Sequence, residues 1–237
     1  MSLPFPYRAV PAVLAGAVTA LLAACTPSTA AGAPVPASVP TATPPAVVTP
    51  AAAPAPAPAA PAPAPVASTL SIPAAGVTGL RVVPYEGTTD DVAGTRIQDL
   101  GAAASPYGKR GGVGPGQVGN FLVTAHRMSA GGPLGDLPAV GPGDTVLVTV
   151  GEVVYTYEIT TTRKTSFRSE RSLSEQRAAV PGAPGAAPTQ AMITISTCAT
   201  PEDHAQGNFW KDAQGNPEHR IDKIGVLRTT SAAVPAG

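Results

Sequence analysis

The stretch TVLVTVGEVVYTYEIT, residues 145–160, predicts a β-hairpin and with it a mainly β fold. Two runs rich in Val, Thr and Tyr, residues 145–150 and 153–160, are separated by the pair Gly151-Glu152. A glycine at the first position of a two-residue loop is typical of a type II′ turn, whose twist suits an antiparallel hairpin. The Gly- and Pro-rich segment 141–144 forms the turn that leads into this hairpin.

Other segments of the chain also favour strands, and helical patterns are few. The remaining predicted strands are residues 69–72, 77–83, 121–125, 191–197 and about 221–228. Helical patterns occur at 89–100 and at 172–179, the second opened by a Ser172-x-x-Glu175 capping box. Seven or so short strands without regularly alternating helices argue against a doubly wound sheet. They favour an all-β (mainly) fold, a closed or nearly closed β-barrel.

The N-terminal residues 1–25 have the pattern of an export signal. Arg8 supplies a short positive region, and the apolar run that follows is shorter than the roughly 20 residues of a membrane-spanning helix. The run ends in Leu22-Ala23-Ala24-Cys25, which resembles a bacterial lipobox whose cysteine is acylated. An uncleaved signal anchor is the alternative. Both interpretations predict an extracytoplasmic protein held at the outer face of the cell membrane.

Residues 26–67 consist almost entirely of Ala, Pro, Thr and Val. Repeated Ala-Pro removes backbone donors and cannot form a packed core, so this segment is predicted to be a disordered linker. At ~3.1 Å per residue it spans on the order of 100 Å, which would hold a domain away from a membrane. The catalytic domain is expected at 68–230, followed by a flexible tail at 231–237. The net charge of zero and the lack of a Lys/Arg cluster argue against a nucleic-acid partner.

Cys198 is the main candidate for chemistry. The chain has two cysteines, and acylation of Cys25 would leave Cys198 without a disulfide partner. An unpaired thiol in an oxidising compartment is a liability unless it is buried or used. A buried structural cysteine remains the alternative, but Cys198 follows the predicted strand 191–197 directly, where a loop begins. The ends of strands beside loops are common positions for reactive groups.

Two further residue types are needed for acyl transfer by a thiol. A base or cation must supply thiolate, and His126, at the end of the predicted strand 121–125, is the best placed of the three histidines. A donor must stabilise the oxyanion, and Arg220 directly precedes the last predicted strand. Arg127 and Arg228 are alternatives from the sequence alone.

Metal and nucleotide sites are not supported by the motifs. Cys198, His204 and His219 carry zinc-binding groups, but their spacing matches no metal pattern. The GxGxxG run at 114–119 precedes a strand rather than a helix and is interpreted as a turn. We therefore predict no metal and no cofactor.

Three short segments together resemble a known family. Residues 124–127 (TAHR), residues 195–198 (ISTC) and His219-Arg220 before a terminal strand resemble the catalytic segments of class E sortases, in the order His, Cys, Arg. The resemblance extends from about residue 70 to 227.

This resemblance implies an eight-stranded sortase β-barrel and a cysteine transpeptidase. Cys198 would attack the Thr–Gly bond of a C-terminal sorting signal of the LAxTG or LPxTG kind, giving a thioacyl intermediate. His126 would act as general acid and base, and Arg220 would hold substrate and stabilise the oxyanion. The implied partners are secreted proteins bearing sorting signals and an amine of a peptidoglycan precursor.

Two other functions are open from the sequence. An exported cysteine hydrolase would release product to water, although papain-like enzymes place the cysteine before the histidine, the reverse of the order here. L,D-transpeptidases share the order His before Cys, but a Ser-His-Gly-Cys-like segment is not found. A lipoprotein binding module with an inert, buried Cys198 is the non-enzymatic alternative.

Overall fold

The computed structural model describes residues 65–233, which belong to one compact unit. These residues form eight strands and three helices, together with short 3-10 turns at Pro73–Ala75 and Leu137–Ala139. The strands are β1 (Ser68–Ile72), β2 (Val77–Glu86), β3 (Ala103–Tyr107), β4 (Gly119–Thr124), β5 (Thr145–Val150), β6 (Val153–Ser166), β7 (Ala191–Cys198) and β8 (His219–Ala232). The helices are α1 (Val92–Asp99), α2 (Glu170–Arg177) and α3 (Thr200–Ala205).

The strands close into a barrel in the order β1-β2-β3-β4-β7-β8-β6-β5. The pairs β2/β3 and β4/β7 are parallel, and the other neighbours are antiparallel. A parallel pair needs a crossover connection, and α1 lies within the one that joins β2 to β3. The predicted mainly β fold, a closed eight-stranded barrel with short helices, is confirmed.

The barrel interior is filled by aliphatic and aromatic side chains that alternate along each strand. Phe121 and Val123 of β4 and Ile193 and Ile195 of β7 are buried in one cluster with residues of the other strands. Each such side chain contributes about 1.5–3 kcal/mol on burial. Since side chains alternate between the two faces of a strand, the residues between them face away from this cluster.

The hairpin that predicted the β fold is present as expected. Val150 pairs with Val153 across a two-residue loop. Gly151 has a φ of 54°, whereas Glu152 is not in the left-handed region. A positive φ at the first loop position alone fits the predicted type II′ turn.

The sequence patterns misplaced or missed several elements. Strand β3 (AASPY) was not predicted, because small residues and an internal proline give no strand signal. Helix α2 begins at Glu170 with Ser169 as its N-cap, so the Ser172 capping box was wrong. The Ser172 hydroxyl instead accepts a hydrogen bond from the Ser166 backbone N–H at 2.9 Å.

Other element boundaries differ from the predicted ones by a few residues. Helix α1 begins at Val92, after an Asp91 cap that accepts from the Gly94 N–H at 2.9 Å. Strand β8 extends to Ala232, past the predicted end of the domain at residue 230. Helix α3 lies within the segment 199–218, for which the sequence predicted no element.

The predictions for the N-terminal region fall outside the described part of the chain. The export signal at 1–25 with Cys25, the linker as far as residue 64, and the tail from 234 onward are not among the described residues. Within residues 65–233, none of the helices has the length and apolar character required to cross a membrane.

Candidate active site

The parallel pairing of β4 and β7 brings His126 and Cys198 to one edge of the barrel. Thr124 is in register with Ser196, so both strands reach the same edge at the same level. His126 and Cys198 each lie two residues further along their chains. The sequence placed each residue at a strand end, and the register explains why the two ends are neighbours.

A cavity of about 390 Å³ opens at this edge. Its lining includes His126 and Cys198, from the ends of β4 and β7, and residues of the segment between α3 and β8. The lining residues used below are Asp99, His126, Arg127, Cys198 and Asn216. The thiol and the imidazole therefore face a common space that is large enough for several atoms of a peptide.

Arg220 is the direct partner of Cys198 in the antiparallel β7/β8 ladder. Directly opposed residues in a ladder project from the same face of the sheet, so their side chains meet. The Arg220 side chain is 1% exposed, and its Nη1 donates a hydrogen bond to Cys198 Sγ. The guanidinium thus contacts the sulfur although Arg220 does not itself line the cavity.

The structure separates Arg220 from the two alternative arginines. Arg127 donates to the backbone carbonyl of Cys198 at 3.4 Å and forms an ion pair with Glu202. Arg228 lies at the exposed part of β8 and pairs with Glu158 at 3.1 Å. Among these three, the contact with Cys198 Sγ is made by Arg220.

His126 is held by a carboxylate that the sequence did not single out. Its Nε2 lies 2.8 Å from Oδ1 of Asp99, the last residue of α1. When the ring is neutral with its proton on Nε2, this bond leaves Nδ1 as the basic nitrogen. Within residues 65–233 His126 forms no direct hydrogen bond with Cys198, and both face the same cavity.

Arg220 is anchored by three further groups. Its Nη2 lies 2.8 Å from Asp90 Oδ1 and 2.8 Å from Asn216 Oδ1. Its Cζ lies 5.1 Å from the centroid of the Phe167 ring. The sequence missed Asp90 and Asn216, because the first lay inside the predicted helix 89–100 and the second lay in a segment without predicted structure.

Burial controls the charge of the thiol. Desolvation raises the pKa of Cys198 above its ordinary value, against the opposing effect of the Arg220 charge, and the Asp90 carboxylate raises it further. The pKa of Arg220 is raised although its burial acts to lower it, because the charges of Asp90 and Cys198 raise it. Cys198 is therefore mostly a neutral thiol at pH 7, next to a guanidinium that stays charged.

A buried polar layer continues from Cys198 along the same face of the sheet. Ser196, two residues before Cys198, accepts from the Gln176 side chain at 3.3 Å. Its ladder partner Asp222 accepts from Gln176 at 3.0 Å and from Thr165 at 2.5 Å. Burial raises the pKa of Asp222, and these hydrogen bonds oppose the shift.

The other two histidines are engaged elsewhere. His219 Nδ1 lies 2.8 Å from Asp203 Oδ1, and its backbone N–H donates to the same carboxylate at 3.0 Å. The His204 ring lies 4.7 Å from the ring of Phe209. Neither lines the cavity described above, so the structure does not gather Cys198, His204 and His219 into one site.

A thiol, an imidazole and a guanidinium at one edge of a closed β-barrel are the groups of a cysteine enzyme that works through an acyl intermediate. Comparison with known proteins agrees with this class. A family model described as the sortase domain matches residues 70–213, more than half of the chain. The chain belongs to the sortase family. Sortases are cysteine transpeptidases, and this chain is an enzyme of that class.

Solved structures support the same assignment. Sortase E from Streptomyces avermitilis is 26% identical, with a TM-score of 0.51 over 71% of this chain and 91% of that chain. Two others, at 19% identity, support the fold alone. They are the SrtA sortase from Actinomyces oris (TM-score 0.53, covering 73% and 86%) and Sortase E1 from Streptomyces coelicolor with a tripeptide in its active site (TM-score 0.53, covering 73% and 94%). A search of curated proteins found no match.

Proposed function

We propose that the chain is a class E-like sortase that cleaves a sorting signal of the LAxTG or LPxTG kind between Thr and Gly. The acyl group is then transferred to an amine of a peptidoglycan precursor. The observation that carries the proposal is the hydrogen bond from Arg220 Nη1 to Cys198 Sγ beside a cavity that His126 also lines. The similarity to sortase E from Streptomyces avermitilis supports the subclass.

In the first step, Cys198 Sγ attacks the carbonyl carbon of the Thr residue. The thiol proton passes to His126, which then gives it to the departing Gly nitrogen as the C–N bond breaks. The products are a thioester on Cys198 and a free amine. Since burial raises the pKa of Cys198, the resting thiol is mostly protonated, and a base such as His126 is needed to take up its proton in this step.

Arg220 is positioned to stabilise negative charge first on the sulfur and then on the carbonyl oxygen of the substrate. Charge moves from the sulfur to the carbonyl oxygen when the tetrahedral intermediate forms, and that oxygen lies one carbon away from the sulfur. Nη1 contacts the sulfur, whereas Nη2 is held by Asp90 and Asn216. A donor that is already fixed at the site of charge development needs little reorganisation during reaction.

In the second step, an amine attacks the thioester carbon and the Cys198 sulfur leaves. His126 accepts the proton of the attacking amine and returns one to the sulfur. Water in place of the amine would give a cysteine hydrolase, so the balance between amine and water decides between the two enzymatic alternatives.

Sortases generally are extracytoplasmic, membrane-associated enzymes that act on sorting signals and cell-wall amines. For this chain we propose anchoring through residues 1–25, with lipidation of Cys25, and a linker at 26–67 that carries the catalytic domain 68–230 away from the outer face of the membrane. The lipobox-like sequence before Cys25 supports lipidation, and the Ala/Pro-rich composition supports an extended linker.

The test uses the chain without its signal segment, residues 26–237, with LAxTG and LPxTG peptides and an amine acceptor. Mass spectrometry measures the transpeptidation product and the hydrolysis product separately. We expect the wild type to form the amide product, and Cys198→Ala to form none. Equal product from wild type and Cys198→Ala would contradict the proposal, and release to water alone would identify a hydrolase.

Thiol labelling separates the enzyme from an inert binding module, provided that pH is varied. Because the pKa of Cys198 is raised, alkylation at neutral pH is expected to be slow and to accelerate as the pH rises. A thiol that stayed unreactive throughout the alkaline range of the folded protein would favour the binding module.

A further inference from the structure

We infer that Asp90 is a positioning residue that holds the Arg220 guanidinium against Cys198. The inference rests on the proposed function of Cys198 and Arg220. It assigns a role to a third residue, which that proposal does not include. Asp90 lies between β2 and α1, immediately before the Asp91 cap of the helix. It is 4% exposed, so its carboxylate has little access to solvent.

The backbone at Asp90 adopts a conformation that few residues tolerate. Its φ is 59°, and among residues 65–233 Ala130 is the other non-glycine residue with a positive φ. Asp and Asn are the non-glycine residues that enter this region most readily. The surrounding structure therefore holds the chain in a disfavoured conformation that directs a carboxylate into the interior.

The two terminal nitrogens of the Arg220 guanidinium have different contacts, Nη2 with Asp90 and Nη1 with Cys198. Asp90 Oδ1 accepts from Arg220 Nη2 at 2.8 Å and from Gln98 Nε2 at 2.9 Å. The guanidinium is planar and rigid, so a fixed Nη2 also fixes the direction of Nη1. Nη1 is the nitrogen that contacts Cys198 Sγ.

Helix α1 connects this anchor to the other side of the site. Asp90 precedes the first turn of α1, Gln98 of the same helix donates to Asp90, and Asp99 beside it binds His126. Gly94 allows the helix to lie close to β2, since a Cβ there would come within 2.3 Å of the Tyr85 hydroxyl. One short helix thus sets the position of both the guanidinium and the imidazole.

The charge of Asp90 also acts on the sulfur, in the opposite direction. A carboxylate behind the guanidinium weakens the attraction between that guanidinium and a thiolate, and it contributes to the raised pKa of Cys198. Asp90 therefore favours correct geometry while disfavouring the resting thiolate.

Two substitutions separate the geometry from the charge. Asp90→Gly removes the carboxylate and tolerates the positive φ. Asp90→Asn retains an acceptor at Oδ1 and also tolerates the backbone, but it has no charge. The matched control is Asp91→Asn, which removes one carboxylate charge a residue away. It keeps an oxygen acceptor for the Gly94 N–H at the helix cap and loses the bond from the Thr88 N–H to Oδ2.

The transpeptidation assay tests the geometry. For Asp90→Gly we expect kcat to fall about 100-fold with little change in KM, because misplacement of a group at the reacting centre has effects of this size. For Asp90→Asn we expect a smaller loss of about tenfold, because a neutral acceptor binds a guanidinium more weakly than a carboxylate does. Asp91→Asn should transpeptidate at close to the wild-type rate.

The pH profile of Cys198 alkylation by iodoacetamide tests the charge. For Asp90→Asn we expect the midpoint to move to lower pH than in the wild type, and Asp91→Asn should retain the wild-type midpoint. This measurement needs folded protein but no turnover, so it stays informative if the transpeptidase proposal fails.

Two results would overturn the inference. One is a wild-type kcat in Asp90→Gly, and the other is an alkylation midpoint in Asp90→Asn at or above that of the wild type. If circular dichroism shows that Asp90→Gly does not fold, the two measurements on Asp90→Asn decide the question.

Discussion

The two faces of strand β7 differ in what they contact. On the inner face, Ile193 and Ile195 are buried in the apolar core of the barrel. On the outer face, Thr194 donates to Asn120 at 2.9 Å and Ser196 accepts from Gln176, and this face ends at Cys198. Both faces are buried, but the inner face contacts apolar side chains and the outer face contacts hydrogen-bonded polar groups.

This difference shows how one strand can combine stability with chemistry. The inner face stabilises the barrel through burial of apolar side chains, and this effect does not depend on the exact orientation of each side chain. The outer face depends on the direction of each donor and acceptor, because a buried polar group without a partner is costly. Substitutions on the two faces should therefore differ in their effects. Those on the inner face should mainly lower stability, whereas those on the outer face should change activity or pH dependence and lower stability less.

The largest effect is expected on the inner face. Ile195→Ala should lower the free energy of unfolding by about 2–5 kcal/mol, because it leaves a cavity in the core. Denaturant titration measures the change, and the matched control Ile195→Val should cost about 0.5–1.5 kcal/mol. A loss no greater than that of the control would mean that the core relaxes around the cavity.

On the outer face, Arg220→Ala should lower kcat/KM about 10²–10³-fold, or about 3–4 kcal/mol of transition-state stabilisation. The reason is the loss of the donor that contacts Cys198 Sγ. Arg228→Ala, in the exposed part of the same strand, is the matched control and should have little effect. Similar losses in the two variants would show that the wrong arginine was assigned.

The pH dependence of stability sharpens the comparison further. Burial raises the folded-state pKa of Asp222 above its ordinary 3.8, so the folded protein holds this proton more tightly than the unfolded chain. The resulting stability is fully present below about pH 4 and is lost as the pH rises through the folded pKa. Relative to Asp222→Asn, the wild type should therefore lose stability as the pH rises above about 4, measured by denaturant titration.

The raised pKa of Asp222 would be contradicted if the stability difference between the wild type and Asp222→Asn stayed constant as the pH rose above about 4. It would also be contradicted if the wild type became more stable relative to Asp222→Asn. Comparison with Asp222→Asn is needed because Glu175, Glu202 and Glu218, whose pKa values are lowered, change stability in the opposite direction over acidic pH.

The smallest effect is expected from Ser196→Ala, which removes one hydroxyl from the polar layer. The Gln176 side chain loses one acceptor and keeps its bond to Asp222, so the loss of stability should be about 1 kcal/mol. Thermal unfolding would detect it, with Ser174→Ala on the exposed side of α2 as the control. A loss as large as that of Ile195→Ala would mean that the two faces do not differ as described.

The sequence was sufficient for the features that depend on local pattern. The hairpin at 145–160 was predicted because Gly at the turn and β-branched residues beside it act locally. His126 and Cys198 were found because each follows an apolar strand directly. Strand β3 was missed because its pairing with β2, and not its own composition, makes it a strand.

The parts of the site that the sequence did not reveal depend on long-range pairing. Asp90 and Arg220 are far apart in the chain and meet because the loop before α1 packs next to the β7/β8 ladder, where Asp90 pairs with Arg220. Asp99 reaches His126 from the end of a helix that the sequence placed but could not orient. Burial of Asp222 and the partner of Ser196 likewise follow from the closed barrel rather than from any spacing along the chain.

The ladder between Cys198 and Arg220 also links the site to the closure of the barrel. Strand β8, which carries Arg220, pairs with both β7 and β6 and so completes the barrel. The contact between the Arg220 guanidinium and the Cys198 sulfur therefore depends on the strand that closes the barrel. A chain cut short before β8 would keep His126 and Cys198 and would lack the donor to the sulfur, so the complete site requires the closed barrel.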